Sequence, residues 1–315
     1  MTEAKKKFVA DIKAGDVIRD LFALAEKNIA YKKDGKPFMT VTLEDRTGQI
    51  KGVLWDNVEQ ASSAAAGDFV AVNGSAGEYK GALQMVVKSM ARVPAESVSP
   101  GDFLPVTTRD IEQMFARLRT LTESMSTPHL KALMDAFWND DEFVRRFKKA
   151  PAAKNMHHAY IGGLLEHTLS MALLAERIAP HYGGINRDLL LVGTVVHDIG
   201  KVREFAYDHR IDYTDEGRLL SHIVIGVEMV EAKIRTIEGF PPATAALIKH
   251  MIISHHGARE FGSPELPKTI EAVLLNYVDE IDSRVNAIRE FIAAEENDSS
   301  WTGYHRLLER QFFKG

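Results

Sequence analysis

The sequence contains no cysteine. A disulfide-stapled scaffold and thiolate metal sites are thereby excluded. No apolar run approaches the roughly 20 residues needed to span a bilayer. The opening Met1-Thr2-Glu3-Ala4-Lys5-Lys6-Lys7 lacks the apolar core of a secretory signal. These absences lead us to expect a cytoplasmic protein with no membrane association. An overall positive charge is also missing: 39 Lys+Arg stand against 44 Asp+Glu, a formal net charge of −5. The deficit is uneven. Residues 1–93 hold 14 basic and 12 acidic side chains, leaving 25 and 32 for the remainder. The N-terminal third is mildly basic, which permits a polyanionic partner without requiring one. The acidic surplus lies with the part of the chain where carboxylates are wanted for a metal.

What is present describes a globular protein long enough for two domains: 315 residues, 45% hydrophobic and 26% charged. The chain is organised around Leu190 to Lys201, an apolar helix-like run ending in the pair His197-Asp198 and then Ile199-Gly200-Lys201. Gly200 is expected to stop the helix and leave the pair near its end. Imidazole nitrogen and carboxylate oxygen together suit Mn, Fe, Co or Zn. His167 upstream, then His222, His255-His256 and Asp279 downstream, each interrupt an apolar helix-like segment. An unpartnered polar group there would be costly. Any one of these histidines could be an ordinary core side chain bonded to a backbone carbonyl. Five of them with two aspartates point to a shared metal site.

The N-terminal third has a different rhythm. Val17 to Ala30, Phe38 to Leu43, Gln49 to Trp55, Asp68 to Val72 and Leu83 to Val87 read as strands. Gly74 to Gly81 separates the last two, and Val58 to Ala66 reads as a short helix between the third and fourth. Five strands with a helix in that place is the order of an OB-fold barrel. Such barrels hold single strands by stacking bases on aromatic rings beside a positive groove. Phe38 and Trp55 are expected in the core. Tyr31 and Tyr79, beside turns, are the surface candidates, with Lys33, Arg46 and Lys51 for phosphates.

Residues 94–106, with three prolines, read as a linker. Thr107 or Thr108 is expected to cap a helix starting near Asp110. Helices follow over Pro128 to Trp138 and Asp141 to Lys148, then a series bearing the histidines. Pro241-Pro242 suits a helix start. The expected architecture is an all-β OB barrel (1–93), a linker (94–106) and an all-α bundle (107–315) whose metal site lies within 157–282.

The order His, His-Asp, His, His-His, Asp resembles the HD-domain superfamily of metal-dependent phosphohydrolases. The likeness extends to His157-His158-Ala159-Tyr160, Gly162 to Thr168, His197 to Lys201 and Ser254 to Gly257. With the barrel added, nearly the whole chain resembles the YhaM type of 3′→5′ exoribonuclease. The resemblance implies a hydrolase that shortens single-stranded RNA, and also DNA, to 5′-nucleotides. It implies His167, His197, Asp198 and Asp279 as ligands of one ion. His222, His255 and His256 would hold a second, with Asp198 bridging. Mn is the implied metal, with Fe, Co or Ni as substitutes, since imidazole-rich sites disfavour Mg. Lys201 is expected to bind phosphate and stabilise developing charge, while His158 and Arg259 are further candidates for phosphate contacts. His158 would alternatively orient a ligand.

Two other readings follow from the same residues. One is an HD-type nucleotide or cyclic-dinucleotide phosphohydrolase, against which Gly257-Ala258-Arg259 stands where the Gly-Tyr-Pro signature of that group would be. The other is a non-catalytic single-strand-binding protein with a structural metal, which would require lost ligands. The aromatic tail Trp301 to Phe313 could pack on the body or between subunits, leaving a homo-oligomer open.

Overall fold

The structure, a computed structural model, describes residues 5–154, 158–207, 210–295, 297 and 299–315. Two compact units emerge. One comprises Met1–Val106 with Ala206–Asp212, the other Thr107–Phe205 with Tyr213–Gly315.

The first unit is a closed barrel of β1 (Val17–Tyr31), β2 (Pro37–Asp45), β3 (Gly48–Leu54), β4 (Phe69–Tyr79) and β5 (Ala82–Val93), paired in the order β1-β2-β3-β5-β4. The β3–β5 pairing is parallel and the others are antiparallel. The α1 helix (Val58–Ala61) is shorter than expected. Inward positions of β2 (Met39, Val41, Leu43) and β3 (Ile50, Leu54) meet Phe22, Leu24 and Met85 in the core. Each large side chain buried this way contributes about 1.5–3 kcal/mol.

Two expectations change here. Gly74 to Gly81 does not separate β4 from β5. The β4 strand runs through it as far as Tyr79, and β5 starts at once after a tight turn at Lys80-Gly81, with Tyr79 opposite Ala82. The proline-containing stretch after Val93 is folded onto the barrel rather than hanging as a tether. Val98 and Phe103 are buried against Leu21 and Phe69, and the Phe69 and Phe103 rings are 4.6 Å apart.

The second unit is helical: α2 (Ile111–Glu123), α3 (Pro128–Trp138), α4 (Asp141–Lys149), α5 (Gly163–Ile178), α6 (Arg187–Val196), α7 (Lys201–Glu204), α8 (Asp215–Ile234), α9 (Pro242–Ser254) and α10 (Ile270–Ala293). Strands β6 (Phe205–Ala206) and β7 (Asp212–Tyr213) form a small hairpin between α7 and α8. Asp110 itself caps α2, accepting from the Gln113 N–H at 3.0 Å. Thr107 is used elsewhere, its hydroxyl donating to Glu166 Oε2 at 2.5 Å. Pro242 opens α9 at its first turn, where a missing N–H costs nothing. In the tail, Phe291 of α10 meets the rings of His305 and Phe312, while Trp301 and Phe313 are exposed. Among the described residues, no helix is long and apolar enough to cross a membrane.

Candidate metal centre

Five helices, α5, α6, α8, α9 and α10, bring the candidate ligands together. His197 and Asp198 follow the last residue of α6, and His255 and His256 follow the last residue of α9. Gly200 does not terminate α6 through a left-handed turn, since its φ of −63° is ordinary. Glycine is required there for another reason. A Cβ would lie 2.1 Å from the His222 carbonyl oxygen, so only glycine lets this turn cross α8. Within α8, Ser221 adopts φ 60° and ψ 160°, breaking the helix immediately before His222. A non-glycine residue in that region stores about 1–3 kcal/mol. The restarted helix has an exposed donor, and the buried Glu204 caps it. Its Oε1 accepts from the His222 N–H at 2.8 Å and sits 3.0 Å from His222 Nδ1.

That pattern recurs. His167 Nδ1 lies 2.8 Å from Asp282 Oδ2, His197 Nδ1 lies 3.0 Å from the Thr194 carbonyl, and His255 Nδ1 lies 2.6 Å from the Ile252 carbonyl. Each acceptor fixes the proton on Nδ1, leaving Nε2 as a lone pair aimed into the cluster. Asp198 stands at the centre. Its Oδ2 is 3.3 Å from His197 Nε2 and 3.8 Å from His167 Nε2. Its Oδ1 is 3.5 Å from His222 Nε2 and 3.6 Å from His255 Nε2. Asp279 Oδ1 is 3.4 Å from His167 Nε2. Thus His167, His197 and Asp279 form one group of donors, and His222, His255 and His256 a second. The Asp198 carboxylate lies between them.

The donors fit divalent cations on physical grounds. Asp198 Oδ1, His222 Nε2, His255 Nε2 and His256 Nδ1 are buried without a hydrogen-bond partner. Four orphaned polar atoms converging on one place would be destabilising unless something bound there. Burial and the neighbouring His256 push the His255 imidazole well below its usual pKa, keeping it neutral and able to ligate. Burial and His222 also lower the pKa of His256. At Asp198 burial favours the acid, but the Lys201 ammonium and His197 overcome it and hold the group as carboxylate. Lys201 Nζ is 2.6 Å from Asp198 Oδ2, and although burial opposes its charge, Asp198 keeps it protonated.

Sequence reasoning missed the acceptors behind the ligands. Asp282 and Glu204 were not singled out, yet each holds a histidine ring. Asp282 follows Asp279 by three positions on α10, so both face the cluster, and that spacing was the available signal. Burial opposes ionisation of Asp282, but His158 and His167 hold it as a carboxylate well below the usual range. The Ser170 hydroxyl donates to its other oxygen. His158, expected as a phosphate contact, is buried instead. Its Nε2 lies 3.3 Å from Asp282 Oδ2 and 3.2 Å from Asn286 Nδ2, and its Nδ1 lies 2.7 Å from the Tyr160 hydroxyl. That placement puts it behind Asp282, in a position to orient it. Replacing Asp282 with asparagine is expected to weaken metal affinity roughly 10–100-fold. Competition with a chelating dye would measure it, and unchanged affinity would remove Asp282 from this role. Arg259 is exposed beside the cluster, 3.7 Å from Glu265. His157 lies outside the described residues, as do Asn155 and His209.

On the barrel, Phe38 and Trp55 are not core. They face each other across β2 and β3, stacked with centroids 5.2 Å apart and an interplanar angle of 27°. Trp55 is 45% exposed, and Lys32 Nζ lies 5.2 Å from its ring. Together with Tyr79, which is 59% exposed, they line a surface groove of about 460 Å³. A second groove of about 520 Å³ shares Thr40 and Gln84 with it and reaches Lys51. Tyr31, at the end of β1, and Lys33, in the following turn, are exposed as expected. Arg46 is not part of this surface. It sits in the β2–β3 turn, eight residues from Phe38, which at about 3.3 Å per residue is roughly 25 Å away. There its guanidinium covers the Phe8 ring at 4.4 Å and donates to the Gly101 carbonyl.

The HD domain model matches residues 164–284, and the model described as an OB-fold nucleic acid binding domain matches residues 26–93. A third, that of a presumed helicase, matches residues 99–182. The 3′-5′ exoribonuclease YhaM of Geobacillus sp. (strain WCH70) is 32% identical over 283 residues, covering 89% of this chain and 86% of the relative. This chain belongs to the YhaM family. Its fold is that of the family's two parts, an OB barrel followed by a helical HD domain. Among solved structures, the second OB-fold domain of replication protein A from Methanococcus maripaludis matches with 20% identity and a TM-score of 0.24, covering 29% of this chain and 95% of that one. A replication protein A heterotrimer bound to single-stranded DNA matches with 20% identity and a TM-score of 0.21, covering 27% and 62%. Likenesses that low have no weight for function. As a family with an HD domain, YhaM proteins are metal-dependent hydrolases of phosphoester bonds, and in this member the two donor groups are where a metal would be held.

Proposed function

We propose that this chain is a metal-dependent 3′→5′ exoribonuclease that shortens single-stranded RNA and releases 5′-mononucleotides. The kinship with YhaM supports the activity and its polarity. The observation that carries the chemistry is the placement of Asp198, whose two oxygens each face a different group of histidines. In this reading His167, His197 and Asp279 would hold one ion and His222, His255 and His256 a second, with Asp198 available as a ligand to both. The imidazole-rich set favours Mn²⁺ over Mg²⁺. Bound there, the pair of ions would supply Lewis acidity, polarising a phosphodiester and making a water more acidic.

The protein's own part is positioning. Nδ1 acceptors fix four of the imidazoles before any metal arrives, which lowers the cost of assembling the centre. Lys201 presents a permanent positive charge beside Asp198, where it can donate to a phosphate oxygen as negative charge builds. The barrel holds the strand, with the Phe38–Trp55 platform and Tyr79 offering faces to bases and Lys32, Lys33 and Lys51 offering charge to phosphates. The double variant Phe38→Ala, Trp55→Ala is expected to weaken binding of an oligonucleotide roughly 5–100-fold. Fluorescence anisotropy in EDTA would read this without turnover, and wild-type affinity in the variant would clear the platform of that role.

The function itself is tested with a 5′-labelled single-stranded RNA, incubated first with EDTA and then with added Mn²⁺. A ladder that shortens progressively only after the metal is added supports the reading. Products of fixed internal length would indicate endonucleolytic cutting. No cleavage of RNA or DNA by metal-loaded protein would overturn it. A parallel DNA substrate measures whether the 2′-hydroxyl matters.

A further inference from the structure

The residues from Ala258 to Ser263 form a tight turn against the second donor group. A Cβ built on Gly262 would be 3.7 Å from His256 Nδ1, so this backbone runs directly beside that ring. The turn is pinned at both ends. The Ala258 N–H donates to the His256 carbonyl at 2.9 Å, and the Phe261 N–H donates to the Ala258 carbonyl at 3.1 Å. The buried Ser263 donates its hydroxyl to the Ile253 and Glu265 carbonyls at 3.1 and 2.8 Å. Phe261 is 66% exposed, and Arg259, two residues before it, is exposed as well.

Apolar side chains also precede His222 in the chain. Leu219 is 81% exposed and Leu220 is exposed beside it, immediately before the strained Ser221 that aims His222. Exposed aliphatic and aromatic groups flanking polar donors make a mixed surface that suits a ligand with both polar and flat apolar parts. A nucleotide has that character.

Building on the exoribonuclease reading, we propose that the Ala258–Ser263 turn is the subsite for the nucleobase next to the scissile phosphate. Phe261 stacks on the base and the Arg259 guanidinium contacts an adjacent phosphate. A flat ring accepts every base, so the subsite grips without reading sequence. It also fixes the register of the strand against Asp198, and a strand so held presents one bond at a time to the metal centre.

The test compares wild type, Phe261→Ala and Phe261→Tyr on a short oligonucleotide and on methyl p-nitrophenyl phosphate, which has no nucleobase. Phe261→Ala is expected to raise KM for the oligonucleotide roughly 5–100-fold. It should leave hydrolysis of the small ester within about twofold of wild type, and Phe261→Tyr should retain the wild-type KM. Anisotropy of a 3′-labelled oligonucleotide in EDTA should show the same loss of affinity. Because the ring is exposed, the alanine variant should fold normally. Equal KM values, or equal losses on both substrates, would overturn the subsite while leaving the exoribonuclease reading intact. A change of oligomeric mass without a change of KM would make the turn a protein contact and also overturn it. If wild type degrades neither RNA nor DNA, both readings fall together.

Discussion

Asp198→Ala is expected to lower RNA hydrolysis on the order of 10³-fold or more, beyond the 10–100-fold typical of residues that only support a ligand. The reason lies in the four contacts that its two oxygens make with histidine nitrogens, two from each donor group. On the proposed two-ion reading, removing the carboxylate would take a ligand from both ions, and it leaves Lys201 without its ion-pair partner in a part-buried place. An unpaired charge there would itself be destabilising. Asp198→Asn is the milder variant, because it keeps the shape of the side chain and an amide oxygen that can still accept from Lys201 while removing the charge. Both variants should lose activity and metal content, measured by steady-state kinetics and elemental analysis. The asparagine variant should retain a native circular dichroism spectrum. An asparagine variant with near-normal activity would show that Asp198 does not link the two groups.

Lys201→Ala is expected to reduce kcat roughly 10²–10³-fold, the loss associated with one donor aimed at developing negative charge. The side chain is 2.6 Å from Asp198 and still partly open to solvent, so the ammonium faces the approach to the centre. Its burial disfavours the charge, and Asp198 restores it. The lysine therefore remains cationic through the neutral range. A group needed only for folding would shift the melting temperature and leave kcat among the surviving molecules unchanged. A transition-state role predicts the reverse, with kcat falling more than KM changes and Lys201→Arg recovering part of the loss. An alanine variant within threefold of wild type would exclude that role.

The candidate metal ligands were legible in the sequence because of their surroundings. His167, His197, Asp198, His222, His255, His256 and Asp279 interrupt apolar helices, where a polar side chain without a purpose is expensive. The structure brings all seven into one cluster. Asp282 and Glu204 stayed hidden because a single carboxylate on a helix is common, and nothing local marks one that reaches a histidine through the fold. His158 carried an ambiguous signal, a histidine beside a recognisable motif. The structure shows it buried against Asp282, an arrangement that favours the orienting role.

On the barrel, the alternation of β2 already held the answer for Phe38. Met39, Val41 and Leu43 point inward, so Phe38 shares the outer face with Thr40 and Thr42. Trp55 follows Leu54 by one and therefore faces outward too. A large aromatic ring reads as core by type, and parity overrules that reading. Gly74 to Gly81 misled for the opposite reason. Its small and polar residues have low strand propensity, but the β4–β5 ladder carries them. Residues 94–106 look like a linker by composition, and only the burial of Val98 and Phe103 reveals their attachment to the barrel.

The most direct measurement is anomalous diffraction from crystals grown with Mn²⁺. Two peaks about 3.5–4 Å apart are expected, one on each side of the Asp198 carboxylate. One should contact His167, His197 and Asp279, and the other His222, His255 and His256. A map with no peak beside the second histidine group, or with Asp198 touching neither ion, would contradict the bridged pair on which the proposed chemistry rests.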